Sequence, residues 1–244
     1  MPASADSARP ERNGAARVEL CANLLEGGTT PSAGAIKLCC SSIKIPVHVM
    51  IRPRGGDFRY TDVEFETMRA DIRIARSLGA AGVVLGLLNP DGTVDAERTA
   101  ELVREAQPMA VTFHRAFDMT RDPFEALEAL VRIGGIQRVL TSGQDSSVLE
   151  GLPLLKQLVE RAGSRIQILP GGGVTNRNVA RILAEISVPE IHMALPAEVP
   201  SEMNFRNPQV FMGVAITTPE YTRSTTDGAA VASAVSMLSR AQPN

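Results

Sequence analysis

Cysteine is scarce: there are three in 244 residues, two of them adjacent at Cys39-Cys40. That argues against a disulfide framework and for a reducing compartment. No sign of charge dominates either. A formal net charge of −2 and a pI near 6.0, with the arginines scattered, leave no electrostatic case for a nucleic-acid or membrane partner. No apolar run approaches the ~18 residues that span a bilayer, and the opening Met1-Pro-Ala-Ser-Ala-Asp-Ser-Ala-Arg-Pro10 lacks the apolar core of a secretory signal. Neither C-x-x-C nor H-x-x-x-H spacing occurs, so composition by itself predicts no metal. The ligand classes that remain are a metal ion or a small molecule.

Hydrophobic residues make up 44% of the chain, enough for a sizeable core. From residue 16 onward one pattern repeats: a short apolar run, a polar or glycine-rich turn, an amphipathic helix. The runs at 16–21, 45–52, 82–88, 109–113, 138–140, 165–169 and 190–194 are seven strand candidates.

The segments between them carry helix start and stop signals. Thr61-Asp-Val-Glu64 is a capping box; Phe65, Met68, Ile72 and Ala75 keep one face behind it, and Gly79 closes the helix. Asp95 caps a second helix, and Asp122-Pro123 opens a third that buries Leu127, Leu130 and Val131 and ends at Gly134. Ser147 is expected to cap a fourth, lined by Leu152, Leu155, Leu158 and Val159, and Thr175 a fifth, with Val179, Ile182 and Leu183 inward. A weaker helix covers 32–41 and holds Cys39 and Cys40.

Strands separated by helices of this length pair in parallel through right-handed crossovers. Seven or eight such units in this length describe an α/β TIM-like (β/α)8 barrel over 16–244, with an open doubly wound sheet as the alternative. The ends depart from the pattern. Residues 1–15 offer no apolar run, so the first βα unit is expected to be missing or degenerate and the segment itself disordered or degenerate. Beyond 194, the stretch 195–209 reads as an irregular loop, 210–216 as an edge segment and 227–240 as a small-residue helix on the barrel's flank.

The barrel reading is favoured because nearly every run ends in residues of chemical use. Glu19, then Arg52 and Arg54, then His114, Arg115 and Asp118, then Thr141-Ser142-Gly143, Gly171-Gly172-Gly173 and His192 would meet on the carboxyl-end face. Any one of them alone is more often solvated surface or a satisfied core group. Arg52-Pro-Arg54-Gly-Gly-Asp57 suits a carboxylate or phosphate held by bidentate bonds, or Arg52 neutralises Glu19 on the neighbouring strand. Gly171-Gly172-Gly173 before a helix cap at Thr175 is a way to present bare N–H groups to an anion, and a tight turn needs the same residues. Cys21, His114, His192 and Met193 are the soft or borderline metal-ligand types, suited to Cu(I) or Zn; if His192 points into the barrel, Met193 points to the helices.

With these residues in view, the chain resembles the CutC copper-homeostasis family. The matching pieces are Arg17-Val-Glu-Leu-Cys21, Glu26-Gly-Gly-Thr-Thr-Pro31, Ile45-Pro-Val-His48, Ile51-Arg-Pro-Arg-Gly-Gly-Asp-Phe58, Val111-Thr-Phe-His-Arg-Ala-Phe-Asp118, Arg138-Val-Leu-Thr-Ser-Gly143, Pro170-Gly-Gly-Gly173 and Glu190-Ile-His192, in the family's order. The likeness is greater to animal-type members. It implies a TIM-like barrel, oligomeric as a dimer or tetramer, cytoplasmic with the nucleus as a further compartment, and engaged in copper handling and Cu(I) binding. The proposed copper ligand of animal-type members maps to Cys21, with His192 as a second candidate. Their first-strand cysteine has no counterpart here, and Met193 stands where they carry another.

Two functional expectations follow. In one, the protein binds Cu(I) through Cys21. In the other, it is a barrel enzyme acting on a phosphorylated or carboxylated small molecule: Glu19 or Asp118 is the base, His114 the acid/base partner, and Arg52, Arg54, Arg115 and the Gly171 loop are the anion clamps. A degenerate barrel kept as a scaffold is the bland third.

Overall fold

The computed structural model describes residues 13–210 and 222–241. Six strands, β1 (Val18–Leu20), β2 (Val47–Met50), β3 (Gly82–Leu85), β4 (Ala110–Phe113), β5 (Arg138–Thr141) and β6 (Gln167–Pro170), form one parallel sheet in chain order. The helices that follow them are α1 (Ala33–Ser42), α2 (Asp62–Ser77), α3 (Ala96–Ala106), α4 (Pro123–Ile133), α5 (Leu152–Ala162) and α6 (Val179–Glu185). This is the barrel-type α/β fold that the alternation predicts.

Local chemistry sets most of the helix starts. The Thr61 side chain accepts from the Glu64 N–H while Glu64 reaches back to the Thr61 N–H, completing the capping box of α2. Asp95 caps α3, and Asp122 accepts from the Phe124 and Glu125 N–H groups at the start of α4. Two expected caps fall elsewhere. Ser147 lies in a separate turn, and α5 begins after Gly151 with no side-chain cap. The carbonyl of Thr175 accepts from Asn178 and Val179, so Thr175 belongs to the turn before α6 rather than to its N-cap, which is Asn178. Val131, Val159 and Leu183 are only half-buried, while their expected partners are fully covered.

Strand alternation divides the chemistry. Val47, Val49, Ile51, Val83, Leu85, Val111, Phe113, Val139 and Ile168 pack against Met68, Ile72, Leu102, Leu130, Leu155 and Ile182 of the helices in the main core. The alternate positions Glu19, Cys21, His48, Met50, Arg52, Val84, Thr112 and His114 face the other way, and Cys21, Met50 and Val84 form a small cluster of their own. Met193 packs on the helix-side core, as its alternation with His192 requires.

The run 190–194 is not the expected seventh strand. It makes a single parallel bridge, Gly171 to His192. Pro189 and Pro196 bracket it and remove ladder donors, leaving room for little more. Side chains hold the rest of the seam: Glu190 accepts from Arg17 Nη2 beside β1 at 2.6 Å and from Arg138 Nε on β5 at 2.8 Å, and His192 Nδ1 lies 3.9 Å from Glu19. The sheet therefore curls until its two edges face this segment.

The stretch 195–209 is not wholly irregular. It contains β7 (Pro196–Pro200), antiparallel to β8 (Thr222–Thr226), a pair hidden by the prolines at both ends of β7. Helix α7 (Gly228–Ala241) follows, capped by Asp227, and packs on α6. The expected edge at 210–216 lies outside the described residues except for Val210, and so does 1–12 of the N-terminal segment. Among the described residues no helix is long and apolar enough to cross a membrane.

Candidate functional site at the carboxyl ends of the strands

His114 extends β4 by donating its N–H to the Leu85 carbonyl at 2.8 Å, which fixes the imidazole on the inner face. Its Nδ1 accepts the Ala116 N–H at 3.1 Å, so the neutral ring carries its proton on Nε2. The ring lies over the bare Cα of Gly86, where a Cβ would stand 2.5 Å from Nδ1, and its centroid is 5.1 Å from that of Phe58. The side chain is buried, and Nε2 has no partner among the described residues. Burial first, and the Arg52 charge second, depress its pKa to about 3. His114 is thus a neutral N–H donor at ordinary pH.

Arg52 shares the Phe58 platform, its Cζ 5.0 Å from the ring centroid. Nη1 donates to the carbonyls of Glu26 and Gly28 at 2.6 and 2.9 Å, and Nη2 donates to that of Gly56 at 2.9 Å. The guanidinium ties the loop after β1 to the loop after β2, and its buried Nε has no hydrogen-bond partner among the described residues. Arg54, expected as a second clamp, is committed elsewhere: Nε to Glu64, Nη2 to Asp57 and to the Arg59 carbonyl. Its charge serves the loop and the start of α2.

A second group forms at the ends of β4, β5 and β6. Asp118 accepts from Arg115 Nε at 2.7 Å, from the Ser142 N–H and hydroxyl, from the Gln144 N–H, and from the Thr141 hydroxyl. A carboxylate whose lone pairs are taken this fully is a framework group rather than a base. Arg115 also donates through Nη2 to Ser142 Oγ at 2.8 Å and remains 45% exposed, so it is open to a ligand. Gly172 lies beneath it, where a Cβ would sit 3.2 Å from the Arg115 Cζ; at Gly173 a Cβ would meet Ser147 at 2.7 Å. Neither the Gly172 nor the Gly173 N–H donates to another described residue, and both glycines have positive φ. Gly171 is different: its N–H is spent on the Thr141 carbonyl. The loop does not run directly into a helix N-terminus, since α6 starts at Val179.

Glu19 and His192 lie together near the seam, 3.9 Å apart. Cys21 is buried beside Met50 under Gly28, where a Cβ would be 3.5 Å from the Cys21 Sγ and 3.6 Å from the Met50 Cε. Burial, with Glu19 adding to it, pushes the thiol up to about 11. Among the described residues no three His, Cys, Asp or Glu side chains converge as metal ligands. Sequence reasoning missed Phe58 and Gly86, which shape the His114 site. Their one signal was position, each just past an apolar strand or inside a turn motif.

These features define a barrel-type α/β protein whose buried and half-buried polar side chains gather at the carboxyl ends of its strands. The CutC family profile matches residues 3–196. The mouse and human proteins named copper homeostasis protein cutC homolog are 53% and 52% identical over 217 residues, 89% of this chain and 79% of theirs. A CutC family protein of Mesorhizobium japonicum is 51% identical over 91% of this chain and 86% of its own. The crystal structure of the Streptococcus agalactiae CutC protein superposes with a TM-score of 0.69 at 40% identity, covering 72% of this chain and 87% of that one. A Bacillus anthracis dihydrodipicolinate synthase, at TM-score 0.52 and 13% identity over 75% of this chain and 59% of its own, shares the fold alone. The chain belongs to the CutC family.

Proposed function

We propose that this protein serves copper homeostasis in the cytoplasm, as a homo-oligomer, by binding a small phosphorylated or carboxylated molecule at the carboxyl-end rim. The observation that carries the reading is the Arg115–Gly172 pairing: an exposed guanidinium anchored by Asp118 and Ser142 packs against Gly172, whose N–H, like that of the next residue Gly173, donates to no other described residue. A fixed cation with bare amides is the donor set that anions select. Calorimetric titration of the purified chain with inorganic phosphate is the test. Saturable binding that Arg115→Ala removes supports the reading; no binding in the unmodified protein overturns it. Native mass spectrometry of the same sample reads the subunit count.

Cu(I) binding is a second reading, favoured by one observation: a thiol and a thioether, Cys21 and Met50, share a small cluster on the inner face. These are the soft ligand types Cu(I) prefers. The high thiol pKa and the absence of a three-ligand cluster among the described residues weigh against tight binding. Near one Cu(I) per subunit in a competition assay, lost in Cys21→Ala, would establish it.

A further inference from the structure

Two N–H groups on the inner face, His114 Nε2 and Arg52 Nε, have no hydrogen-bond acceptor among the described residues, and both side chains are at least nine-tenths buried. Both pack on Phe58, the His114 ring centroid 5.1 Å and the Arg52 Cζ 5.0 Å from the centroid of its ring. Each is held by bonds that fix its orientation: the Ala116 N–H on His114 Nδ1, and three backbone carbonyls on the Arg52 terminal nitrogens. A buried donor left without an acceptor carries a desolvation penalty that a ligand oxygen removes on binding.

We infer that His114 Nε2–H and Arg52 Nε–H receive a carboxylate oxygen of the ligand whose other, phosphate end docks on Arg115 and the Gly172–Gly173 amides. The ligand class is a small phosphorylated carboxylic acid. This rests on the rim reading and extends it inward, because His114 and Arg115 are consecutive residues with opposite tasks. His114 faces the covered inner side and Arg115 the exposed rim. His114 is then a neutral hydrogen-bond donor rather than an acid/base group. Two donors beside a fixed positive charge suit an oxyanion better than an alcohol. Gly86 is required because any side chain there would push the imidazole off this line.

Three probes separate the claims: inorganic phosphate, ethyl phosphate and 2-phosphoglycolate, which differs from ethyl phosphate by a carboxylate in place of a methyl group. The full chain is expected to bind 2-phosphoglycolate at least about tenfold more tightly than ethyl phosphate, and His114→Ala to erase that gap while phosphate affinity stays the same. Equal affinities for the two esters would overturn this inference and leave the rim reading standing. Failure of all three probes to bind would overturn both. Should His114→Ala not fold, the unmodified protein still decides: ¹⁵N spectra are expected to show His114 protonated at Nε2, and that resonance to move with 2-phosphoglycolate but not with ethyl phosphate. A proton on Nδ1, or equal response to both esters, would overturn the inference.

Discussion

Arg17 and Glu190 meet at 2.6 Å across 173 residues of chain, joining the first strand of the sheet to the segment beyond the sixth. Arg138 binds the same carboxylate from β5. The seam of the barrel is thus closed by charge where a strand ladder is reduced to one bridge. Burial opposes ionisation of Glu190, but the hydrogen bonds from Arg138 and Arg17 outweigh it and hold the carboxyl down to about 2.

Glu190→Gln is expected to destabilise the fold by about 2 kcal/mol, less than a fully buried pair because the carboxylate is 30% exposed. The pH dependence follows from the lowered pKa: the contribution is present in full above the ordinary carboxyl value of 4.5 and is lost as pH falls toward 2. Urea unfolding at pH 7 and pH 3 checks both. A variant as stable as the parent at pH 7 would mean the seam does not depend on this pair.

Gly172→Ala is expected to weaken phosphate binding about tenfold and to destabilise by about 1 kcal/mol or more, since a φ of +120° strains any L side chain and the new Cβ presses on Arg115. Calorimetry and thermal unfolding read the two effects separately. Unchanged phosphate affinity would remove Gly172 from the site.

Cys21 is expected to resist alkylation. Relative to an ordinary thiol at 9.0, a pKa near 11 lowers the thiolate fraction about a hundredfold at neutral pH, before burial slows access further. Iodoacetamide labelling followed by peptide mass spectrometry measures it. Modification of Cys21 at the rate of free cysteine would contradict the burial seen here.

Gly86→Ala is expected to cost about 1–3 kcal/mol by forcing the His114 ring away from a Cβ that would stand 2.5 Å from Nδ1. Thermal unfolding reads the loss, and the His114 ¹⁵N resonances report the displaced ring. A stable variant with unmoved resonances would show the contact to be slack.

Most of the fold is legible from apolar spacing and caps. Six of the seven strand candidates are strands, because each alternates a helix-facing apolar position with another and ends in a turn residue. The seventh is reduced to one bridge at His192 because Pro189 and Pro196 bracket it and supply no ladder N–H. The site is less legible: Arg52, Arg54 and Arg115 look alike in sequence, yet one knits two loops, one serves a helix start, and one remains open to solvent. Which hydrogen-bond acceptors surround a guanidinium depends on loops that a periodicity does not describe.

By itself the sequence determined the alternation of strands and helices, the inner and outer faces of each strand, and the family, because these rest on local periodicity and contiguous motifs. Only the tertiary structure decided that Asp118 is saturated, that His114 is tautomerically fixed with an Nε2–H that meets no acceptor among the described residues, and that Cys21 is buried beside Met50. Those properties come from groups far apart in the chain, and hydrogen bonding and desolvation act on what is near in space.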